Sequence, residues 1–322
     1  MIHIHPNPIP VSQKNNHITL LYPYYTEAAK IKGSVVVLHG MAEHHERYRH
    51  FAGFLNAEGY DVYLYDHRGH GTDKQAGELG YFAPKDGDRL VIADAVRVLK
   101  YVRSKNRGNS LILFGHSMGS LIARNVLEHY DKVDCAIICG TAMPPVPVSL
   151  CGYLIASAIC ILKGPASRSP LMDRLLFSGR EYKRLCARSS MDWLSRNEAV
   201  VSEYNSDPFC GFLCTASFYR DLIRLTLTAE SRRLIAKVRR DLPIFLISGS
   251  CDPVGGCGRQ VRALYHVFKR LGFTNITLKL YPECRHELLN EQNREDIMKD
   301  IASWLAHQPA AARHGSPLRA GS

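Results

Sequence analysis

The apolar positions of the chain follow two rhythms. Short runs rich in Val, Ile and Leu recur at 34–38 (SVVVL), 60–65 (YDVYLY), 110–114 (SLILF), 134–139 (DCAIIC), 243–248 (PIFLIS) and 275–280 (NITLKL). Continuous apolar runs of this length read as strands buried on both faces. Between them, apolar residues return at the helical period over 46–58, 88–104, 119–130, 257–271 and 293–305. This alternation predicts an α/β protein with a mostly parallel sheet flanked by helices on both faces. The segment HITLLYPYY, 17–25, is expected to add an antiparallel edge strand.

The alternation stops from 143 to 228. There a Pro-rich start leads into an apolar segment, a basic loop, MDWLSRNEAVVSEY (191–204) with an amphipathic helical pattern, and DPFCGFLCTASFYRDLIRLTL. We expect a helical cap inserted between two strands of one sheet. The organisation is then core 1–142, cap 143–228, core again 229–306, and a tail 307–322 whose Ala, Gly and Pro content predicts disorder. The longest apolar stretch, Val146–Leu162, is interrupted by Pro147 and Gly152. It falls short of the ~20 residues that span a bilayer, so a buried or lid helix is expected.

Composition narrows the class. The chain has 322 residues, 46% hydrophobic and 22% charged, as a soluble globular protein with a large core does. A net charge of +11 suits an anionic surface. The basic residues are spread out, with only a moderate bias near 163–240, and no helix-turn-helix, zinc-finger or RNP pattern is present. Nucleic acid is therefore not an expected partner, and attraction to anionic lipid fits better. Ten cysteines include no C-x-x-C pair, and Cys135/Cys139 and Cys210/Cys214 match no zinc spacing. The start MIHIHPNPIPVSQ lacks the basic and apolar parts of a signal peptide, so reduced cysteines in the cytoplasm are expected.

The strongest chemical signal is Gly115-His116-Ser117-Met118-Gly119, between an apolar strand and a helical stretch. G-x-S-x-G in this setting presents a serine hydroxyl on a sharp, strained turn, with glycines letting strand and helix close around it. Ser117 is the candidate nucleophile. A serine hydroxyl needs a base to take its proton, and the base needs an orienting acid. Folds of this type supply them in the order Ser, acid, His, past the ends of later strands. Asp252 follows the run PIFLIS and His286 follows the last strand. Asp241 precedes its strand and sits at the wrong end of the sheet. The oxyanion hole is expected from the backbone N–H of Met118 and of Met41, in the LHGM loop.

That loop, HGMAEHHERYRH, is rich in histidine. His39, His44, His45 and His50 contain no pair three or four apart, so the helical zinc spacing is missing. No metal or cofactor is expected, and His39 is read as a loop-fixing hydrogen bonder.

These segments, HGMAEHHERY, YDHRGHG, LGYFAPKDG, FGHSMGSLIARNVL, DPFCGF, SGSCDPVGGCGRQV and RHELLNE, span about 39–291. Together they resemble the α/β-hydrolase group that includes monoacylglycerol lipases, lysophospholipases and serine aminopeptidase-like hydrolases. The resemblance implies the α/β-hydrolase fold, a triad of Ser117, Asp252 and His286, and a helical lid. It also implies that Glu43 and Arg47 border the polar end of the substrate pocket, although a loop-pinning salt bridge explains them equally well. One departure concerns the head group: where monoacylglycerol lipases carry a second histidine, three residues after the catalytic one, this chain has Leu289. Asp66 and Arg68 read as structural, and Cys251, Cys257 and Cys284 flank the triad as thiols of no assigned role.

The expected function is hydrolysis of a carboxylic ester through an acyl-enzyme. The substrate is a small-molecule lipid ester such as a monoacylglycerol or lysophospholipid, with transient membrane-surface contact through the cap. A small-ester carboxylesterase and a serine peptidase or amidase on the same scaffold stay open. A non-catalytic binding protein is the distant alternative, since all three triad members are present.

Overall fold

A computed structural model describes residues 3–4, 8–14, 17–105, 107–108 and 110–308 of the chain. The tail expected to be disordered lies, from residue 309, outside the described residues.

The apolar runs form one twisted sheet. Its strands are β1 (His3–Ile4), β2 (Ile9–Lys14), β3 (His17–Tyr25), β4 (Gly33–Leu38), β5 (Tyr60–Tyr65), β6 (Ser110–His116), β7 (Cys135–Cys139), β8 (Ile244–Gly249) and β9 (Ile276–Tyr281). Their order is β1-β3-β5-β4-β6-β7-β8-β9, with β2 also paired to β3. From β5 through β9 all neighbours are parallel; β3 is antiparallel as expected, in register Leu21↔Tyr65, but is not the edge, because β1 and β2 also pair with it. The first two strands escaped the sequence reading. Pro10 interrupts the pattern of β2 and is tolerated there because β2 pairs only with β3.

Strands β4, β5, β7 and β8 are buried along their whole length. On one face pack α1 (Arg49–Ala57) and, from later in the chain, the helix 294–306; Phe51, Leu55, Ile297 and Ile301 meet Val35, Val37 and Phe114. On the other lie α2 (Gly87–Lys105), α3 (Met118–Leu127) and the helix 259–270; Val91, Val98, Ile122 and Leu264 meet Val36, Leu113, Ile138 and Leu246. Strand β9, at the sheet edge, alternates instead, with Thr277 and Lys279 exposed.

Between β7 and β8 come α4 (Val146–Lys163), α5 (Pro170–Phe177), α6 (Arg180–Leu185), α7 (Glu198–Ser206), α8 (Ala216–Ala229) and α9 (Arg232–Ile235). The chain closes with α10 (Arg259–Arg270) and α11 (Arg294–Ala306). The fold is an α/β-hydrolase fold with a helical insertion.

Two elements depart from expectation. The helix expected over 191–204 starts at Glu198, because the Asn197 side chain accepts the Ala199 N–H (3.2 Å) and caps it there. Residues 191–197 instead wrap inward, burying Trp193 and Leu194. Helix α4 is not a core helix: Val148, Leu154, Ile161 and Leu162 are 62%, 66%, 83% and 82% exposed, and only Ser149 and Ala156 are buried. Its length and hydropathy match a membrane span, but they match an uncovered lid helix equally.

Candidate active site

Strand β6 ends in a turn at Ser117, where φ is 53° and ψ −119°. A non-glycine residue rarely adopts this backbone, which costs about 1–3 kcal/mol. Ser117 is held in it by its N–H, which donates to Cys139 O on β7 (3.0 Å), and by its C=O, which accepts the Ser120 N–H (2.9 Å). The flanking glycines are dictated by contact. A Cβ on Gly115 would lie 2.4 Å from Gly119 O, and one on Gly119 would lie 2.1 Å from Leu38 O. The turn can therefore form only if helix, strand and the end of β4 touch through bare backbone.

The loops after β8 and β9 bring Asp252 and His286 together. Asp252 Oδ1 accepts from His286 Nδ1 (3.0 Å) and from the Val254 N–H (2.9 Å), and Oδ2 accepts from Ser248 Oγ (3.1 Å). Burial works to raise the Asp252 carboxyl, but the His286 ring and these donors outweigh it and hold it below its ordinary value. Asp252 is a carboxylate, and His286 Nδ1 is committed to it, leaving Nε2. Asp241 lies ahead of β8, largely exposed, beside Arg239 (3.3 Å). The Trp193 ring packs 5.2 Å from the His286 ring. His286 and Ser117 border one cavity of about 430 Å³ whose walls come from the core and from the insertion, including Val148, Leu176, Phe212 and Ile223.

The histidine-rich loop after β4 sorts its backbone donors. The Gly40 N–H bonds to Glu43 Oε1, and the Ala42 N–H bonds to His70 Nε2 (3.2 Å). His70 can accept because burial, foremost, lowers its pKa to about 3 and its Nδ1–H is given to Arg68 O (2.8 Å). Met41, between them, gives its N–H to no acceptor among the described residues, and neither does Met118 at the first position of α3. Both residues border the cavity beside Ser117. His39 is fully used: Nδ1 bonds Gly40 O (2.7 Å) and Nε2 accepts the His67 N–H (3.0 Å). His45 and His50 pair with Asp66 and Glu295.

Glu43 and Arg47 belong to a buried charge network that also contains Glu287 and His116. Arg47 Nη1 donates to Glu43 Oε2 (2.8 Å) and Glu287 Oε1 (2.6 Å), and Nη2 donates to Glu287 Oε2 (2.8 Å). Glu43 Oε1 further accepts from Tyr48 Oη (2.8 Å) and faces His116 Nδ1 (3.3 Å), while His116 Nε2 reaches the His286 carbonyl (3.3 Å). Burial opposes the charge on each carboxyl. His116 and Arg47 overcome it at Glu43, and Arg47 overcomes it at Glu287, so both lie below their ordinary values. His116 is raised despite its burial, by its hydrogen bond to Glu43 and the surrounding carboxylates. Arg47 and, when protonated, His116 face the two carboxylates. Glu43 and Glu287 reach the cavity wall; Arg47 stands behind them.

Leu289 is buried among core side chains, away from the cavity. None of Cys251, Cys257 and Cys284 borders the cavity, and all ten cysteines are free thiols. Asp66 anchors His45 through its backbone N–H (2.7 Å) and ring, and Arg68 pairs with Asp94. No sequence motif gives Tyr48, His116, Trp193 or Glu287 a role in the site. The signal available was adjacency, since His116 precedes Ser117 and Glu287 follows His286.

The family model described as serine aminopeptidase, S33, matches residues 29–293. The chain belongs to this family. Similar sequences include the monoglyceride lipase of Mus musculus, 26% identical over 91% of this chain and 89% of that protein. The monoacylglycerol lipase of Mycolicibacterium smegmatis is 27% identical over 89% of this chain and 93% of its own length. Among solved structures, a thermostable carboxyl esterase from Bacillus coagulans in complex with glycerol superposes with a TM-score of 0.85. It is 25% identical and covers 94% of this chain and 98% of the esterase. This S33-family chain is a serine hydrolase of the esterase–lipase type, related to monoacylglycerol lipases.

Proposed function

We propose that this hydrolase cleaves carboxylic esters of single-chain lipids, monoacylglycerols or lysophospholipids, with Ser117 as nucleophile, His286 as base and Asp252 as its orienting acid. Ser117 Oγ attacks the ester carbonyl while His286 Nε2 takes its proton. The imidazolium so formed is stabilised by the Asp252 carboxylate on Nδ1. The carbonyl oxygen becomes an oxyanion facing the Met41 and Met118 N–H groups, each worth about 3–4 kcal/mol in such a site. His286 then protonates the departing alcohol, and water, activated by the same ring, releases the acid from the acyl-enzyme.

The observation that carries the reading is the pair of uncommitted N–H groups beside a strained serine, on a cavity walled by apolar side chains. A volume of about 430 Å³ suits a small ligand rather than a polypeptide. The exposed apolar face of α4, with Lys163, Arg174, Arg180, Lys183 and Arg184 exposed nearby in sequence, supports transient contact with an anionic bilayer. The names of the mouse and mycobacterial relatives favour a monoacylglycerol among the two head groups.

The test is fluorophosphonate labelling of the wild type and Ser117→Ala, followed by esters of graded chain length, a lysophospholipid and an aminoacyl amide. Labelling lost with Ser117, and turnover rising with acyl length, is the expected pattern. Labelling retained by the alanine variant overturns the nucleophile. Preference for short esters or the amide overturns the substrate class.

A further inference from the structure

The insertion meets the histidine-rich loop at a second cluster, which the hydrolytic reading does not use. His44 Nε2 lies 2.8 Å from Asp207 Oδ2, a contact between residues 163 apart in sequence. Cys210 completes the group: one ligand atom from each of His44, Asp207 and Cys210 lies within 4.8 Å of the others. None of the three borders the cavity. A histidine–carboxylate pair alone is an ordinary buried contact. Here it has a thiol beside it, and the other ring nitrogen, His44 Nδ1, is buried without a partner. The Asp207 carboxylate can only accept, so the metal-free His44 ring carries its proton on Nε2, and the unpartnered Nδ1 is free to take that proton when Nε2 turns to a cation.

We propose that His44, Asp207 and Cys210 form a three-ligand site for a thiophilic divalent cation of the zinc type, bridging the helical insertion and the loop that carries Met41. One nitrogen, one oxygen and one sulfur donor with an open fourth position is a ligand set that suits zinc. Bonds of about 2.0–2.1 Å to nitrogen and oxygen and about 2.3 Å to sulfur place tetrahedral ligand atoms roughly 3.3–3.6 Å apart. The His44–Asp207 contact opens slightly and the Cys210 side chain closes toward it. His44 and Cys210 are buried, but the Asp207 side chain is 29% exposed and provides the entry path and room for a water as fourth ligand. Without metal, burial keeps the Cys210 thiol protonated. On binding, the His44 ring proton moves from Nε2 to Nδ1, so that Nε2 bonds the cation; the S–H bond of Cys210 breaks, sulfur bonds the cation as thiolate, and that one proton leaves to solvent.

The spacing of histidines within 39–50 speaks only of ligands from that loop; two of the three donors come from the insertion. The same stretch already clasps the loop: the Gly211 N–H and Tyr204 Oη both donate to Ala42 O, each at 2.9 Å. A cation would tighten that clasp next to Met41. This last consequence rests on the proposed oxyanion hole; the binding itself does not.

The experiment is titration of Co²⁺ into the reduced full-length chain, followed by near-ultraviolet thiolate-to-cobalt absorption and by proton release, with Zn²⁺ as competitor. One saturable equivalent, one proton released and displacement by Zn²⁺ are expected. Cys210→Ser should abolish the band, and Asp207→Asn should weaken affinity at least tenfold. No thiolate band at saturating metal, or an undiminished band in Cys210→Ser, overturns the site. Should Cys210→Ser fail to show a cooperative unfolding transition, Asp207→Asn decides, and unchanged affinity in it overturns the proposal. The readout is independent of turnover, so its failure leaves the hydrolase reading standing, and Ser117→Ala should bind Co²⁺ as the wild type does.

Discussion

Arg47 is the residue whose removal tests the charge network most directly. Arg47→Met keeps much of the apolar stem and deletes the guanidinium. Glu43 and Glu287, both nearly inaccessible, then lose three charged hydrogen bonds between them. Glu287 is left with a single side-chain donor, the Asn290 amide (3.0 Å), while Glu43 retains Tyr48, His116 and the Gly40 N–H. Breaking a buried pair by removing one partner costs about 3–5 kcal/mol, and the two stranded anions place this variant near 4. With an unfolding entropy of about 2.1 cal/mol/K per residue, the 322-residue chain loses about 6 °C in Tm. The pH dependence carries the sharper test. In the wild type both carboxyls lie below their ordinary value, so their contribution is present above that value and is lost as pH falls through the depressed one. In the variant, burial loses its main opponent at Glu287, whose carboxyl rises above the unfolded value. Its penalty is then full at high pH and relieved as pH falls. Thermal unfolding at pH 5 to 8 should show the gap between wild type and variant narrowing toward pH 5. A gap under about 1.5 °C, or one that does not change with pH, would refute this account of the network.

Other perturbations address the proposed chemistry. Asp252→Asn keeps the shape of the side chain but favours the wrong tautomer of His286, and kcat for an ester substrate should fall about 10⁴-fold with Tm little changed. Gly119→Ala puts a Cβ 2.1 Å from Leu38 O; neither backbone can yield without moving Met118. We expect a kcat loss of at least about 10²-fold, the typical effect of an oxyanion donor, and a lower urea midpoint. His116→Asn removes a group whose pKa is raised in the folded chain. Its contribution is full below the ordinary histidine value near 6.5 and is lost as pH rises through the raised one. The stability difference from wild type, measured by urea denaturation, should therefore shrink with rising pH; growth with pH would mean that His116 is folded in its neutral form.

What could be read in advance depended on whether the relevant interaction is local. Strands β4 to β8 are covered on both faces over nearly their whole length, so their residues are mostly apolar and announce themselves. The turn at Ser117 is written in five consecutive residues because the steric demand there is itself local, strand against helix. Asp252 and His286 could be located because loops at strand ends fall on a common rim. By contrast, Arg47 and Glu287 are 240 positions apart, and nothing near either names the other. Helical periodicity over 191–204 places Trp193 on a helix, while a single cap at Asn197 decides where the helix begins. For α4, hydropathy measures how apolar a segment is and is silent on whether another element covers it.

The placement of His116 gives the G-H-S-M-G sequence a meaning beyond the turn. Ser117 is the proposed nucleophile, and the residue before it reaches, through Nε2, the backbone carbonyl of the proposed base (3.3 Å). Its Nδ1 faces Glu43, which also holds the Gly40 N–H beside Met41. One ring therefore connects the three loops, after β4, β6 and β9, that carry Met41, Ser117 and His286. Nε2 faces the His286 carbonyl, Nδ1 lies against Glu43 and the Tyr48 hydroxyl (3.0 Å), and the hydrogen bond to Glu43 raises the ring's pKa despite burial, which favours the imidazolium. Its charge is what the Glu43–Arg47–Glu287 cluster needs to reach neutrality. Without it the cluster keeps one uncompensated buried anion, and Glu43, which faces His116 and accepts the Gly40 N–H, is where that deficit would fall.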